Sequence, residues 1–166
     1  MGKILAILSC LLLALCPVLT ACDTGGCTEL RSSVPRADFY SSASGSKISV
    51  DSLQISGIGA PGDSILYGPR TRLSSVNLPM PAQENSVRWR IAYVQSQLAE
   101  LGLADTISID FERYPWFGGE ECGAMYKYRI TRLSSTYVLI DSVVIVDSLV
   151  INVDRPTLNI YFRTAE

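Results

Sequence analysis

The sequence contains no histidine. That removes the commonest general base, the commonest metal-ligating side chain and the usual switch for pH near neutrality. A serine nucleophile therefore has no imidazole to activate it. Charge is also sparse: 18% of residues are charged and the formal net charge is -2. Such a balance gives no basis for nucleic-acid binding. No Cys-x-x-Cys pair occurs, which argues against thiol-exchange chemistry. Long amphipathic helical stretches are missing as well. What remains is 48% hydrophobic in 166 residues, enough for one domain with its own core.

The apolar residues are unevenly placed. Met1-Gly2-Lys3 is a short positive start, and Ile4 to Leu19 is almost entirely apolar. This is the pattern of a secretory signal. The run holds Pro17 and ends without cationic flanks, unlike a spanning helix. Leu19-Thr20-Ala21-Cys22 resembles the bacterial lipobox: an aliphatic residue, two small residues and a cysteine. That resemblance implies cleavage after residue 21, acylation of Cys22 and a short lipidated tether over 22–34. A plain signal peptide or an uncleaved anchor is the alternative. Each acyl methylene buried in lipid contributes about 0.8 kcal/mol, so two or three chains hold a protein on a membrane.

Export sorts the remaining cysteines. Cys27 has Cys122 as its one intramolecular partner beyond the leader, in an oxidising compartment. Their disulfide would close a loop of about 95 residues. In the chain-entropy model that contributes up to about 4.5 kcal/mol. Two buried free thiols are the alternative.

From residue 35 to 166 the hydrophobic period is two. Val87, Trp89, Ile91 and Tyr93 share one face of a strand, with Arg88 and Arg90 on the other. Ile107, Ile109 and Phe111 alternate with Ser108, Asp110 and Glu112 in the same way. Antiparallel pairing of these strands would set Arg90 against Asp110 and Arg88 against Glu112. The connector between them suits one or two helical turns ending at Gly102. Tyr126, Tyr128 and Ile130 share one face of another strand, with Lys127 and Arg129 on the other. Tyr137 to Val146 and Leu149 to Val153 are β-branched and nearly continuous, as for strands covered on both faces. A last strand opens at Pro156 with Leu158, Ile160 and Phe162 inward. Weaker signals lie at 38–41, 48–55, 64–67 and 73–78. The fold class is therefore all-β: a two-sheet antiparallel β-sandwich, immunoglobulin-like or related, of about eight strands.

Several patterns suggest chemistry. Gly57-Ile58-Gly59-Ala60-Pro61-Gly62 has the GxGxxG spacing, but a turn and a strand follow where a phosphate-binding helix is needed. Tyr114-Pro115-Trp116-Phe117-Gly118-Gly119-Glu120-Glu121-Cys122 reads as an aromatic loop. It suits a sugar- or ligand-stacking platform using Tyr114, Trp116, Phe117, Glu120 and Glu121, or else caps one end of the sandwich. A carboxylate hydrolase would pair Glu120 or Glu121 with Asp110 or Glu112. Calcium at sandwich loops would draw on Asp141, Asp147 or Asp154, but the EF-hand spacing is absent. With acylated and oxidised cysteines, zinc lacks ligands. Neither a metal nor a cofactor is expected, and no catalytic residue is assigned.

The lipobox, the Gly25-Gly26-Cys27-Thr28-Glu29 segment, Glu121-Cys122-Gly123-Ala124-Met125-Tyr126, Leu139-Ile140-Asp141-Ser142-Val143 and the closing Asn159-Ile160-Tyr161-Phe162 together resemble a family of small Bacteroidetes lipoproteins, domain of unknown function 6452. The resemblance implies a cell-envelope lipoprotein and carries no catalytic residue with it. It supports the Cys27–Cys122 pairing as an expectation. The tether lacks a dense acidic run, which favours an outer-membrane location facing the periplasm.

Asp51-Ser52-Leu53, Asp63-Ser64-Ile65, Asp105-Thr106-Ile107, Asp141-Ser142-Val143 and Asp147-Ser148-Leu149 repeat one triplet. Asp and Ser would close a turn before a strand. The triplet also looks like the O-glycosylation sequon of exported Bacteroidetes proteins, with Ser52, Ser64, Thr106, Ser142 and Ser148 as acceptors. The function expected is a non-catalytic structural or protein-interaction module, tied to the membrane by its lipid and facing an envelope protein or glycan. A carbohydrate- or ligand-binding domain is the alternative.

Overall fold

The computed structural model describes residues 32–69 and 72–164. The expected leader, Cys22 and Cys27 lie outside these residues. Ten strands form two sheets. β1 (Arg36–Ser41), β4 (Ser75–Asn77), β8 (Ile140–Ile145) and β10 (Pro156–Phe162) make a four-stranded sheet in the order β4-β1-β10-β8. β2 (Leu53–Gly57), β3 (Ile65–Tyr67), β5 (Ser86–Tyr93), β6 (Ala104–Phe117), β7 (Ala124–Ser135) and β9 (Leu149–Val150) make a six-stranded sheet in the order β3-β2-β5-β6-β7-β9. The architecture is a sandwich-like all-β fold with almost no helix. Among the described residues no helix is long and apolar enough to cross a membrane.

Alternation builds the core. β10 turns Leu158, Ile160 and Phe162 inward, β1 turns Ala37 and Phe39 inward, and all five are buried. Phe39 meets Phe162 edge to face at 5.1 Å. The six-stranded sheet answers with Leu53, Ile55, Trp89, Ile91, Ile107 and Ile109, each at most 1% exposed. Fully burying such a side chain contributes about 1.5–3 kcal/mol.

The sequence suggested antiparallel sheets throughout; the four-stranded sheet is mixed. β1 and β10 run parallel, with Phe39 opposite Ile160 and Ser41 opposite Phe162. Two sequence-distant strands are not constrained by a hairpin, so their direction follows from the crossover path rather than from any local pattern.

The β5–β6 pairing is antiparallel as expected, but its register differs. Arg88 lies opposite Ser108 and Arg90 opposite Thr106. Asp110 instead pairs across to Arg132 at 3.3 Å, and Glu112 lies opposite Arg129. The connector holds one helical turn, α1 (Ser96–Ala99), and reverses at Gly102, whose φ is +60°. That compact connector and the buried group beside it outweigh two exposed ion pairs, each worth only tenths of a kcal/mol.

The buried group is Asp105, completely inaccessible. Its Oδ1 accepts from the Thr136 hydroxyl at 2.7 Å and the Val138 amide at 2.8 Å. Its Oδ2 accepts from the Tyr93 hydroxyl at 2.7 Å and the Leu139 and Ile140 amides at 2.9 and 3.0 Å. One carboxylate thus fastens β5, β6 and the crossover from β7 into β8. Burial alone would raise the Asp105 pKa; the Val138 and Ile140 amides and the Tyr93 and Thr136 hydroxyls overcome it and hold the group below its ordinary value.

Two strands expected to be covered on both faces are not. Val144 is exposed on the outer face of β8, and Tyr137, Val138 and Val146 are exposed beyond its ends. Strand β9 keeps only Leu149 and Val150, and Val153 is exposed.

Candidate functional site

The segment read as an aromatic loop is a strand. β6 and β7 pair out to Phe117 opposite Ala124, with one register shift between Asp110 and Phe111, and only Gly118 to Gly123 turn the chain. The turn closes through the Gly118 amide to the Gly123 carbonyl at 3.0 Å and the Gly123 amide to the Gly119 carbonyl at 2.9 Å. Gly119 and Gly123 take φ of +105° and +71°, which favour glycine.

This hairpin outruns its neighbours. β5 pairs with β6 no further than Asp110, and β9 pairs with β7 only at Tyr128 and Arg129. Beyond those points the two strands project past the sheet. Exposed aromatics gather there: Tyr114 is 41% exposed, Trp116 45%, Phe117 63% and Tyr126 40%. Tyr126 shares a face with Tyr128, as expected, but is exposed where Tyr128 is buried. Burial pushes the Tyr128 phenol upward, with Arg113 opposing.

Successive strand residues point to opposite faces. On one face Glu112, Tyr114 and Trp116 oppose Arg129, Lys127 and Met125. The Lys127 ammonium sits 3.4 Å from the centre of the Trp116 ring, and the Arg129 guanidinium 5.9 Å from that of Tyr114. The Tyr114 hydroxyl donates to Glu112. On the other face Arg113, Pro115 and Phe117 oppose Tyr128, Tyr126 and Ala124, with the Arg113 guanidinium 6.0 Å from the Tyr126 ring. Arg113 also donates to the Ala82 carbonyl, tying the hairpin to the loop before β5. Trp116 and Phe117 are therefore solvent-facing but back to back. They do not make one stacking platform.

The remaining candidates disperse. Glu120 and Glu121 are exposed in the turn, Asp110 is paired with Arg132, and Glu112 is bound by Tyr114. Asp141, Asp147 and Asp154 each face an arginine: Arg163, Arg155 and Arg36 at 3.4, 2.7 and 2.8 Å. Among the described residues no three metal-ligating side chains come together. Ser44 and Lys47 have the spacing of a serine–lysine pair, a pattern the missing histidine does not exclude. Lys47 is instead ion-paired with buried Asp38 at 2.8 Å. Cys122 is half-buried in the hairpin turn, and its expected partner Cys27 lies outside the described residues.

The Asp-Ser/Thr triplets have several structural roles. Asp147 closes a turn by accepting from the Leu149 amide at 2.8 Å, and Ser148 beside it is exposed. Ser64 is exposed after the 3-10 turn at Pro61–Asp63, with its hydroxyl on the Pro61 carbonyl. Ser52, Thr106 and Ser142 are half-buried. Asp105 is a core fastener and Asp141 lies within β8, so neither closes a turn. The sequence pattern alone gave no sign of the Asp105 role. The glycine-rich run from Gly57 is turn punctuation: β3 follows it at Ile65.

No curated protein and no solved structure matches the chain. Residues 52–162 match a family described only as one of unknown function. That match spans β2 to β10 and so most of both sheets. The chain belongs to the family of unknown function DUF6452.

Proposed function

We propose that this protein is a lipid-anchored envelope protein, a non-catalytic interaction module that meets a protein partner through the projecting end of the β6–β7 hairpin. The observation that carries this reading is the exposure of four aromatics on two strands that no other strand flanks. Aromatic and arginine side chains are enriched at protein interfaces, and exposed apolar clusters mark contact sites. The back-to-back placement of Trp116 and Phe117 favours a partner that wraps the hairpin over a flat sugar ring. The leader and the Leu19–Cys22 motif support acylation at Cys22 and residence in the outer membrane facing the periplasm. Cys27 is the proposed partner of Cys122, and Ser64 and Ser148 are the most accessible proposed glycan acceptors.

Photo-crosslinking in intact cells tests the reading. A benzoyl-phenylalanine at position 114, 117 or 126 should give one adduct of common size, and at exposed Ser42 none. Adducts at no hairpin position, with a soluble glycan protecting Trp116 from oxidation, would favour the carbohydrate-binding alternative. The anchor is tested separately: Cys22→Ala should abolish fatty-acid labelling and release the protein from membranes.

A further inference from the structure

A second surface lies along the side of the sandwich and is independent of the hairpin reading. Four strands end the two sheets: β4 and β8 the smaller, β3 and β9 the larger. β3 and β4 have three residues each and β9 has two. Edges that short offer little to a neighbouring strand. β8 has six residues, Ile140–Ile145, with no proline, lysine or arginine among them. Its one register shift against β10 lies at the Asp141 end, and Ser142 to Ile145 pair regularly. The Val146 amide donates to the Thr157 carbonyl at 2.9 Å, so Val146, Val144 and Ser142 turn their main-chain groups toward β10. Val143 and Ile145 alternate with them and turn amide and carbonyl to the outer edge, where no strand lies among the described residues.

The margin of this edge is apolar. Half of the exposed large hydrophobics among the described residues belong to β8, β9 and their flanks: Tyr137, Val138, Val144, Val146, Leu149 and Val153. An open ladder with such a margin is a template for another strand. The edge is also complementary to itself. When two copies of β8 lie antiparallel about a twofold axis at Val144, Val143 of each copy exchanges amide–carbonyl bonds with Ile145 of the other. Val144 meets Val144 in the close, non-hydrogen-bonded position, and Ser142 meets Val146. No charge lies within 142–146, and neighbouring Asp141 is already held by Arg163 at 3.4 Å. Pairing of this kind uses up both edges, so it closes at two copies rather than growing into a fibre.

We propose that β8 pairs antiparallel with β8 of a second copy of this chain, joining the two four-stranded sheets into one across a homodimer. Native mass spectrometry of the full chain, released from detergent at micromolar concentration, should give twice the monomer mass. Val144→Lys sets two like charges at the axis and should leave monomer, and so should Val144→Glu. An equimolar mixture of these two variants should recover dimers of mixed composition, which unfolded chains would not form. Val144 is 47% exposed, so both variants should keep the parent's urea midpoint. Val144→Cys should give a disulfide-linked dimer, since the axial pair stands within bridging distance. Ser44→Cys, exposed in the turn after β1, should not. A monomeric parent, a Val144→Lys protein as dimeric as the parent, or a mixture that stays monomeric overturns the proposal. So does a linked dimer no more abundant in Val144→Cys than in Ser44→Cys. A dimer that disperses on Phe117→Ala and persists in Val144→Lys would place the contact at the hairpin and overturn it too.

Discussion

The Tyr93 hydroxyl donates to Asp105 Oδ2 at 2.7 Å across the β5–β6 pair, inside the protein. Neither residue is opposite the other: Tyr93 lies against Leu53 and Asp105 against Ile91. The bond is diagonal, and the other carboxylate oxygen is filled by Thr136 and Val138. Removing the charge should therefore disturb three segments together. Asp105→Asn keeps the shape but has one acceptor oxygen where five donors converge. We expect a loss on the order of 3 kcal/mol, because buried donors left unpaired cost about 1–3 kcal/mol each and relaxation recovers part. Urea unfolding checks this. A loss below about 1 kcal/mol would mean that water reaches the site.

The same pair predicts how stability changes with pH. Asp105 is held below its ordinary value of 3.8, so its contribution is complete above that pH and falls away as acid carries it toward the lower folded value. Tyr93 is pushed up, by burial first and then by the hydrogen bond and charge of Asp105, from an ordinary 10.0. Its contribution is complete below about pH 10 and is lost as alkali ionises the unfolded chain. Unfolding free energy should be flat from these groups between about pH 5 and 9 and decline at both ends. In Tyr93→Phe the alkaline decline should shrink; an unchanged alkaline limb would assign it elsewhere.

At the hairpin turn, Gly118 has no room for a side chain. An added Cβ would stand 2.9 Å from the Cys122 Cβ and 3.2 Å from the Met125 Cε. The methionine end can move, but the cysteine Cβ is held by its backbone. Gly118→Ala should cost about 1–3 kcal/mol locally. Amide exchange at Gly118 and Gly123 should accelerate while the core strands stay protected.

Phe117 should behave in the opposite way. It is 63% exposed at the hairpin end, so Phe117→Ala should change stability by no more than about 0.5 kcal/mol. Leu158, fully buried in β10, supplies the contrast: Leu158→Ala should cost about 3 kcal/mol. Measured together by denaturant unfolding, the two separate a surface kept for contact from one kept for packing.

What the sequence discloses follows the range of the interaction. Period-two alternation in 87–93, 107–111 and 156–162 marks strands and their inner faces, because the pleat itself imposes the period. The turn at Pro61–Asp63 and the helical turn before Gly102 are likewise local. Register is not local. Arg88 and Arg90 suggested carboxylate partners, whereas the pairing is set by Asp105, whose five donors come from residues 12 to 35 positions away. The parallel β1–β10 contact has no local sign at all. Tyr114, Trp116 and Phe117 were legible as an unusual cluster, but a continuous strand through Pro115 was not, since proline ordinarily ends a ladder. Edge position lets it stay: on its β5 side that length of β6 has no strand to bond.

The parallel seam between β1 and β10 also sets an order of events. The strand at 36–41 finds its centre-sheet neighbour only when 156–162 exists, more than a hundred residues later. Until then the smaller sheet has only the three-residue β4 beside β1, and Phe39 has no Phe162 to meet. Contacts of such long sequence separation slow folding. A nascent chain lacking its final strand would thus remain pliable, and trimming those seven residues would leave a gap in mid-sheet rather than a shortened edge.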